Sequence, residues 1–284
     1  MPIAKKKLAS GIGTEILNVN LAEDLDDATF AEIEQAWRED PVLLFRGQSL
    51  DHHAHVRFSE RFGPLDDHSS IPRLRDQTFH QILPVTNQEV AGRRQPVGRQ
   101  WHSDLSTTLH PARGSLLRCE VIPEVGGDTM FANMYLAYDT LSDKMKEIIE
   151  PLWAVHDLTL AHHNRGRPDI DEVRKNTPPV AHPIVRVHPE TGRKALYVSE
   201  MTCGSIVGLT DEEARPILEY LFRHSVRPEF TYRHRWQPGD LIAWDNRCTM
   251  HLALDDYDLD VPRRLYRTTL LGEPSGYLVG QASA

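Results

Sequence analysis

The sequence predicts a mainly β domain with flanking helices, built as a double-sheet barrel or jelly roll. Three observations carry that expectation. Short apolar runs bounded by Gly, Pro and polar turn residues recur along most of the chain, the pattern of many short strands. A length of 284 residues suits one barrel with insertions, so residues 1–284 are read as one domain. No dinucleotide fingerprint, Walker loop or G-x-S-x-G elbow argues for a parallel α/β sheet.

Taken in order, residues 11–21 (GIGTEILNVNL) alternate apolar and polar side chains and read as a strand. Residues 27–38 place Phe30, Ile33 and Trp37 at helical spacing behind an acidic first turn. Val42 to Phe45 is a short apolar run, expected as a buried strand, and residues 51–62 are expected as a helix with Val56 and Phe58 inward. His52, His53 and His55 on that helix read as solvated. Residues 64–100, rich in Pro, Gly and Arg, read as an active-site lid with a strand near 79–83. Strands are then expected at 115–121, 129–131, 152–160, 184–187, 195–198, 230–236, 240–244 and 265–271. Helices are expected at 134–141, 142–149 and 211–224, the last behind a capping box of Thr210 and Glu213.

Charge and composition narrow the function. The net charge of −9, from 32 basic and 41 acidic residues, argues against a nucleic-acid binder. It leaves room for an anionic small molecule, because a buried arginine acts locally. No apolar run is long enough for a membrane helix. The basic start, with Lys5, Lys6 and Lys7, lacks the apolar stretch of a signal peptide and reads as a solvated arm. Cys119, Cys203 and Cys248 are scattered, with no C-x-x-C, and read as reduced thiols of a cytoplasmic protein.

The chemistry concentrates at His102-Ser103-Asp104, with His251 far downstream and Arg263 beyond it. Two imidazoles and a carboxylate are the donor set that holds non-haem Fe(II) on one face and leaves the other open. In an extended segment His102 and Asp104 point to the same side. His251 taken alone reads as a packed or hydrogen-bonded histidine rather than a ligand; its place after the 239–247 turn and strand would bring it into the same barrel. A second pair, His188 and Glu190, sits in the turn sequence HPETGRK and reads as a solvated hairpin. On a strand at 263–269, Arg263 and Arg267 share one face, which calls for anions to meet them or for exposure to solvent.

W-H-S-D at 101–104, G-G-D-T at 126–129, W-D-N-R at 244–247 with His251, and R-x-x-x-R at 263–267 resemble the Fe(II)/2-oxoglutarate-dependent dioxygenases of the taurine dioxygenase and 2,4-dichlorophenoxyacetate dioxygenase (TauD/TfdA) group. The resemblance includes L-F-R-G-Q at 44–48 and R-F-G-P-L at 61–65 and spans nearly the whole chain. It implies a double-stranded β-helix (jelly-roll) core, with His102, Asp104 and His251 as iron ligands. It implies Thr129 and Arg263 at the distal carboxylate of 2-oxoglutarate, and His68 and Arg267 at the acidic group of the substrate. Two departures stand out: taurine-type relatives carry Tyr and Asn near the substrate where this chain has Ile71 and Gly98, and the lysine that the phenoxyacetate type places near His68 is missing.

The implied reaction consumes O2 and 2-oxoglutarate, yields succinate and CO2, and hydroxylates a small anionic sulfonate, alkyl sulfate or aryloxyalkanoate. Asp104, where related halogenases carry a small residue, favours hydroxylation. The competing readings are a hydroxylase or desaturase of an amino acid or natural product on the same fold, and a metal-binding jelly roll without turnover. Oligomeric state is not read from the sequence; the resemblance points to homo-dimers or homo-tetramers only as the forms that relatives often take.

Overall fold

The computed structural model describes residues 3–90, 93–94 and 98–280. Part of the expected lid, residues 91, 92 and 95–97, lies outside the described residues. In chain order come β1 (Ala4–Lys7), β2 (Thr14–Leu17), α1 (Asp27–Glu39), β3 (Val42–Phe45), α2 (His52–Glu60), β4 (Leu83–Thr86), β5 (Glu89–Val90) and β6 (Arg93–Arg94). Next are β7 (Gly114–Val121), β8 (Thr129–Asn133), α3 (Met134–Asp139), α4 (Asp143–Ile149), β9 (Trp153–His156), α5 (Ile170–Asn176), β10 (Val180–Pro183), β11 (Val185–Val187) and β12 (Lys194–Leu196). The last are β13 (Cys203–Ile206), α6 (Asp211–Ser225), β14 (Thr231–His234), β15 (Leu241–Asp245), β16 (Thr249–Ala253), β17 (Arg264–Leu270) and β18 (Tyr277–Leu278).

The larger sheet runs β1-β2-β3-β15-β7-β17-β4, antiparallel except at β2–β3. A smaller sheet, β14-β8-β16, packs against it. Side-chain alternation builds a core on each face of the larger sheet. Val42, Leu44, Leu117, Ile242, Trp244 and Leu265 meet Phe131 of β8 between the sheets. Leu43, Phe45, Leu116 and Ala243 meet Phe30, Ile33 and Trp37 of α1 and Phe58 of α2. This is why β3 is an unbroken apolar run: it is covered on both faces. The result is a jelly-roll core with helices packed on its outer side, and a third core joins α3 and α6 to β12 and β13.

Local signals place several elements. Asp26 and Asp51 cap α1 and α2, each accepting a backbone N–H. The capping box at Thr210 and Glu213 opens α6. Four expectations need correction. Lys5, Lys6 and Lys7 are not a free arm but lie in edge strand β1, reaching Glu39 at 3.1 Å, Glu15 at 3.7 Å and Asp40 at 2.6 Å. The strand expected at 79–83 begins at Leu83, because β4 takes its place from pairing with β17. His55 is fully buried, with Nε2 3.4 Å from Thr268 Oγ1 of β17, so it is a core histidine of the α2–sheet contact. The hairpin at 188–193 exists, but His188 is buried against Asp245 at 3.0 Å, and Glu190 accepts from Arg38, Arg113 and Arg247.

Candidate active site

His102 and His251 become neighbours through the backbone. Their main chains exchange both hydrogen bonds, His102 N–H to His251 O at 3.1 Å and His251 N–H to His102 O at 2.8 Å. Directly opposed residues of an antiparallel pair present their side chains on one face. The two rings lie 4.1 Å apart, centroid to centroid. Past Ser103, whose hydroxyl donates to Thr249 O at 2.7 Å, the chain turns, with Leu105 left-handed at φ 53°. That turn brings Asp104 Oδ1 within 3.9 Å of both His102 Nε2 and His251 Nε2. The three side chains form a buried group with a metal-ligand donor set.

The donors are set for a cation. His102 Nδ1 is 2.7 Å from Gln100 O, which makes it the protonated nitrogen and leaves the Nε2 lone pair free. Burial lowers the pKa of both histidines, so they are neutral bases at physiological pH. Burial pushes the Asp104 carboxyl up, but Arg267, His251, His102 and the Ser115 hydroxyl together hold it well below the usual carboxylate range. Arg267 Nη1 donates to Asp104 Oδ1 at 2.6 Å, the oxygen that faces the histidines.

These groups open into a cavity of about 710 Å³. Arg263 and Thr129 line it beside the triad. Arg263 is buried, donates through Nε to Gly127 O at 3.0 Å, and meets no carboxylate within ion-pair distance among the described residues. Burial lowers its pKa, against which Tyr257, Cys119 and Asp128 act. Thr129 Oγ1 accepts from Trp236 Nε1 at 2.9 Å, so its own proton is free to donate.

Inward-facing Leu265 and cavity-lining Arg267 have the strand parity read from the sequence. Ile71 and Gly98 also line the cavity; a Cβ at Gly98 would sit 3.3 Å from His102 Cε1. His68 is buried and left-handed, φ 52°, with Nδ1 3.3 Å from Asp66 and Nε2 without a partner among the described residues. On its side of the molecule the cavity wall is made by Ser70, Ile71 and Leu74. Sequence reasoning missed Ser115 and Gln100, which carry no motif of their own. It quoted Asn246 only as part of W-D-N-R.

A buried pair of histidines and a carboxylate in a jelly roll, beside an arginine that meets no carboxylate among the described residues, is the donor set known from non-haem metal oxygenases. The profile of the "Taurine catabolism dioxygenase TauD, TfdA family" matches residues 4–269. The chain belongs to this family. It is 36% identical over 269 residues to an alpha-ketoglutarate-dependent 2,4-dichlorophenoxyacetate dioxygenase of Cupriavidus pinatubonensis, covering 90% of this chain and 93% of that one. It is 35% identical over 277 residues to an alkylsulfatase of Acinetobacter baylyi, covering 94% and 84%. Among solved structures, AAD-2 in complex with Mn(II) and N-oxalylglycine superposes with a TM-score of 0.85 at 32% identity, covering 97% of this chain and 99% of that one.

Proposed function

We propose that this protein is an Fe(II)- and 2-oxoglutarate-dependent dioxygenase that hydroxylates a small anionic organic substrate. One observation carries the co-substrate: among the described residues Arg263 is a buried cation with no protein carboxylate, beside a threonine hydroxyl whose oxygen already accepts from Trp236, in the cavity that holds the triad. A planar guanidinium and a hydroxyl donor are suited to the distal carboxylate of 2-oxoglutarate. His102, Asp104 and His251 hold the metal, and bound Fe(II) supplies the activation of dioxygen. The protein's share is to orient both organic substrates and exclude water. The relative seen with Mn(II) and N-oxalylglycine, a 2-oxoglutarate isostere, supports the same arrangement. Oxygen uptake matched by succinate formation, dependent on Fe(II) and 2-oxoglutarate, tests the reading; no uptake with any compound class named below overturns it.

For the prime substrate, Arg267 is the cation at the cavity wall; His68 is not itself among the residues that line the cavity, and its place in this reading rests on the resemblance and on Ser70 and Ile71 just after it, which do line it. Apolar side chains such as Ile71, Leu74, Leu109, Val180, Met201 and Leu278 make most of the remaining wall. A volume of about 710 Å³ falls within the roughly 300–1,000 Å³ of sites for drug-sized ligands. Together these favour an aryloxyalkanoate or an alkyl sulfate with a sizeable apolar body over a small aminosulfonate. Comparing succinate formation across sulfonates, alkyl sulfates, aryloxyalkanoates and amino acids checks this choice. Residence in the cytoplasm belongs to the same reading and is supported by three buried free thiols.

A further inference from the structure

Asn246 lies fully buried in the turn between β15 and β16. Its Oδ1 accepts from Asp104 N–H at 3.1 Å and from Trp244 Nε1 at 3.0 Å. Both are obligate donors, so the amide orientation is set by chemistry: a flipped side chain would put Nδ2 against two N–H groups. Nδ2 then donates to Ser115 Oγ at 3.0 Å. Ser115, also fully buried, sends its single proton to Asp104 Oδ2 at 2.7 Å. Each hydrogen bond in this chain has one permitted direction, and it ends on one oxygen of Asp104. The other oxygen, Oδ1, faces His102 and His251.

The turn carrying Asn246 is itself fixed from behind. Arg247 donates to Asp245 Oδ2 at 2.6 Å and to Glu190 at 2.7 Å, and His188 Nε2 is 3.0 Å from Asp245 Oδ2. Asp245 and Arg247 are therefore occupied with each other, and Asn246 between them is the member of W-D-N-R aimed at Asp104.

We propose that Ser115 and Asn246 are positioning residues that keep Asp104 a one-oxygen ligand. Resting on the reading of His102, Asp104 and His251 as the metal site, this assigns them the task of holding open a coordination position that 2-oxoglutarate needs. A metal with six positions and three protein donors has three left, two for the 2-oxo acid and one for dioxygen. A carboxylate free to rotate and bind through both oxygens would close one of them. Tying Oδ2 to Ser115 prevents that rotation, and the bond from Asp104 N–H to Asn246 holds the backbone of the same residue.

The test separates metal affinity from co-substrate affinity. Mn(II) binding is followed by loss of the free aquo-Mn(II) resonance signal, and 2-oxoglutarate is then titrated calorimetrically into the Mn(II)-loaded protein. Ser115→Ala is expected to weaken 2-oxoglutarate binding by about tenfold or more, the scale on which loss of a group that orients a metal ligand is usually felt; Mn(II) affinity is expected to change much less, because a carboxylate bound through both oxygens still holds the metal. Asn246→Asp, close in shape but unable to donate to Ser115, is expected to move 2-oxoglutarate binding in the same direction, and serves if Ser115→Ala does not fold. Unchanged 2-oxoglutarate binding in the folded variants overturns the proposal. So does a loss of Mn(II) affinity as large as the loss of co-substrate affinity, which would make the network merely structural. Undiminished Mn(II) binding by His251→Ala would instead remove the ligand reading beneath it.

Discussion

Replacing Arg263 with methionine should move stability and co-substrate binding in opposite directions. The guanidinium is buried and pairs with a backbone carbonyl, not a carboxylate, among the described residues. A buried charge without a counter-ion is costly, so an apolar side chain of similar length should stabilise the ligand-free protein by about 1 kcal/mol or more. For a chain of this size that is a rise in Tm of roughly 2 °C or more. The same substitution removes the cation proposed to face the distal carboxylate. A loss of about 2–5 kcal/mol in 2-oxoglutarate binding follows, on the order of 30- to 4000-fold in Kd. Thermal unfolding of the Mn(II)-loaded protein with and without 2-oxoglutarate reads both effects. Wild type at a hundredfold excess over Kd should gain about 2.7 kcal/mol, and Arg263→Met should gain less than about 1 kcal/mol. A variant that is less stable alone, yet keeps the full gain from 2-oxoglutarate, would show that Arg263 is structural and that the co-substrate binds elsewhere.

His102→Ala, Asp104→Ala and His251→Ala should each abolish Fe(II)-dependent succinate formation in a protein that still folds, as judged by circular dichroism; near-normal turnover in any one removes that residue from the ligand set. With Fe(II) saturating, Arg267→Ala should raise KM for an anionic substrate by the equivalent of about 2–4 kcal/mol, well beyond its effect on the 2-oxoglutarate KM. His68→Ala should do the same more mildly, and a neutral isostere turned over faster than every anion would sink both assignments. Acid should destabilise the metal-free protein early. Burial holds His55 and His156 at about 3 and His182 at about 4, against 6.5 when exposed, so the unfolded chain binds more protons below 6.5. Stability is therefore complete above pH 6.5 and falls as pH drops toward 4, each histidine contributing about 1.4 kcal/mol per pH unit. Urea midpoints at pH 7.5, 6.5 and 5.5 measure the slope, which His156→Gln should reduce by one proton; a pH-independent midpoint would contradict the burial argument.

What was legible in the sequence follows from how local each signal is. Helix α1 was readable because Phe30, Ile33 and Trp37 repeat at helical spacing within one element, and α6 because its capping box is a contact between residues three apart. The triad was legible in part: His102 and Asp104 are adjacent, and the family pattern pointed to His251. The strand that carries His251, T-M-H-L-A at 249–253, is only five residues long, and its alternation is too short to stand out until pairing with β8 fixes it. His55 looked solvated because its helix is polar, and only the docking of α2 on β17 buries it. Glu190 looked like a hairpin tip until folding brought Arg38, Arg113 and Arg247 to it. Ser115 is the clearest case: a serine inside an apolar strand carries no signal until Asp104 turns back onto it.

The acidic balance of the chain and its attraction for anions are compatible because each acts at a different range. Exposed charges are screened beyond roughly 8–10 Å in physiological salt, so a net charge of −9 governs encounters with polyanions and not the interior of a cavity. Many acids are also occupied close at hand: Asp240 by Arg46, Asp128 by Arg233, Glu190 by three arginines. Inside the cavity the balance is reversed. Arg263 faces it without a carboxylate among the described residues, and Arg267 shares one carboxylate oxygen with the histidine pair. Any cation bound by that oxygen competes with Arg267 for it and leaves the guanidinium freer to take a second anion. Metal, co-substrate carboxylate and substrate anion would thus be accommodated by side chains from both sheets: His251 of β16 with the segment at 102–104 bridged to it, and Arg263 and Arg267 at and within β17 of the larger sheet.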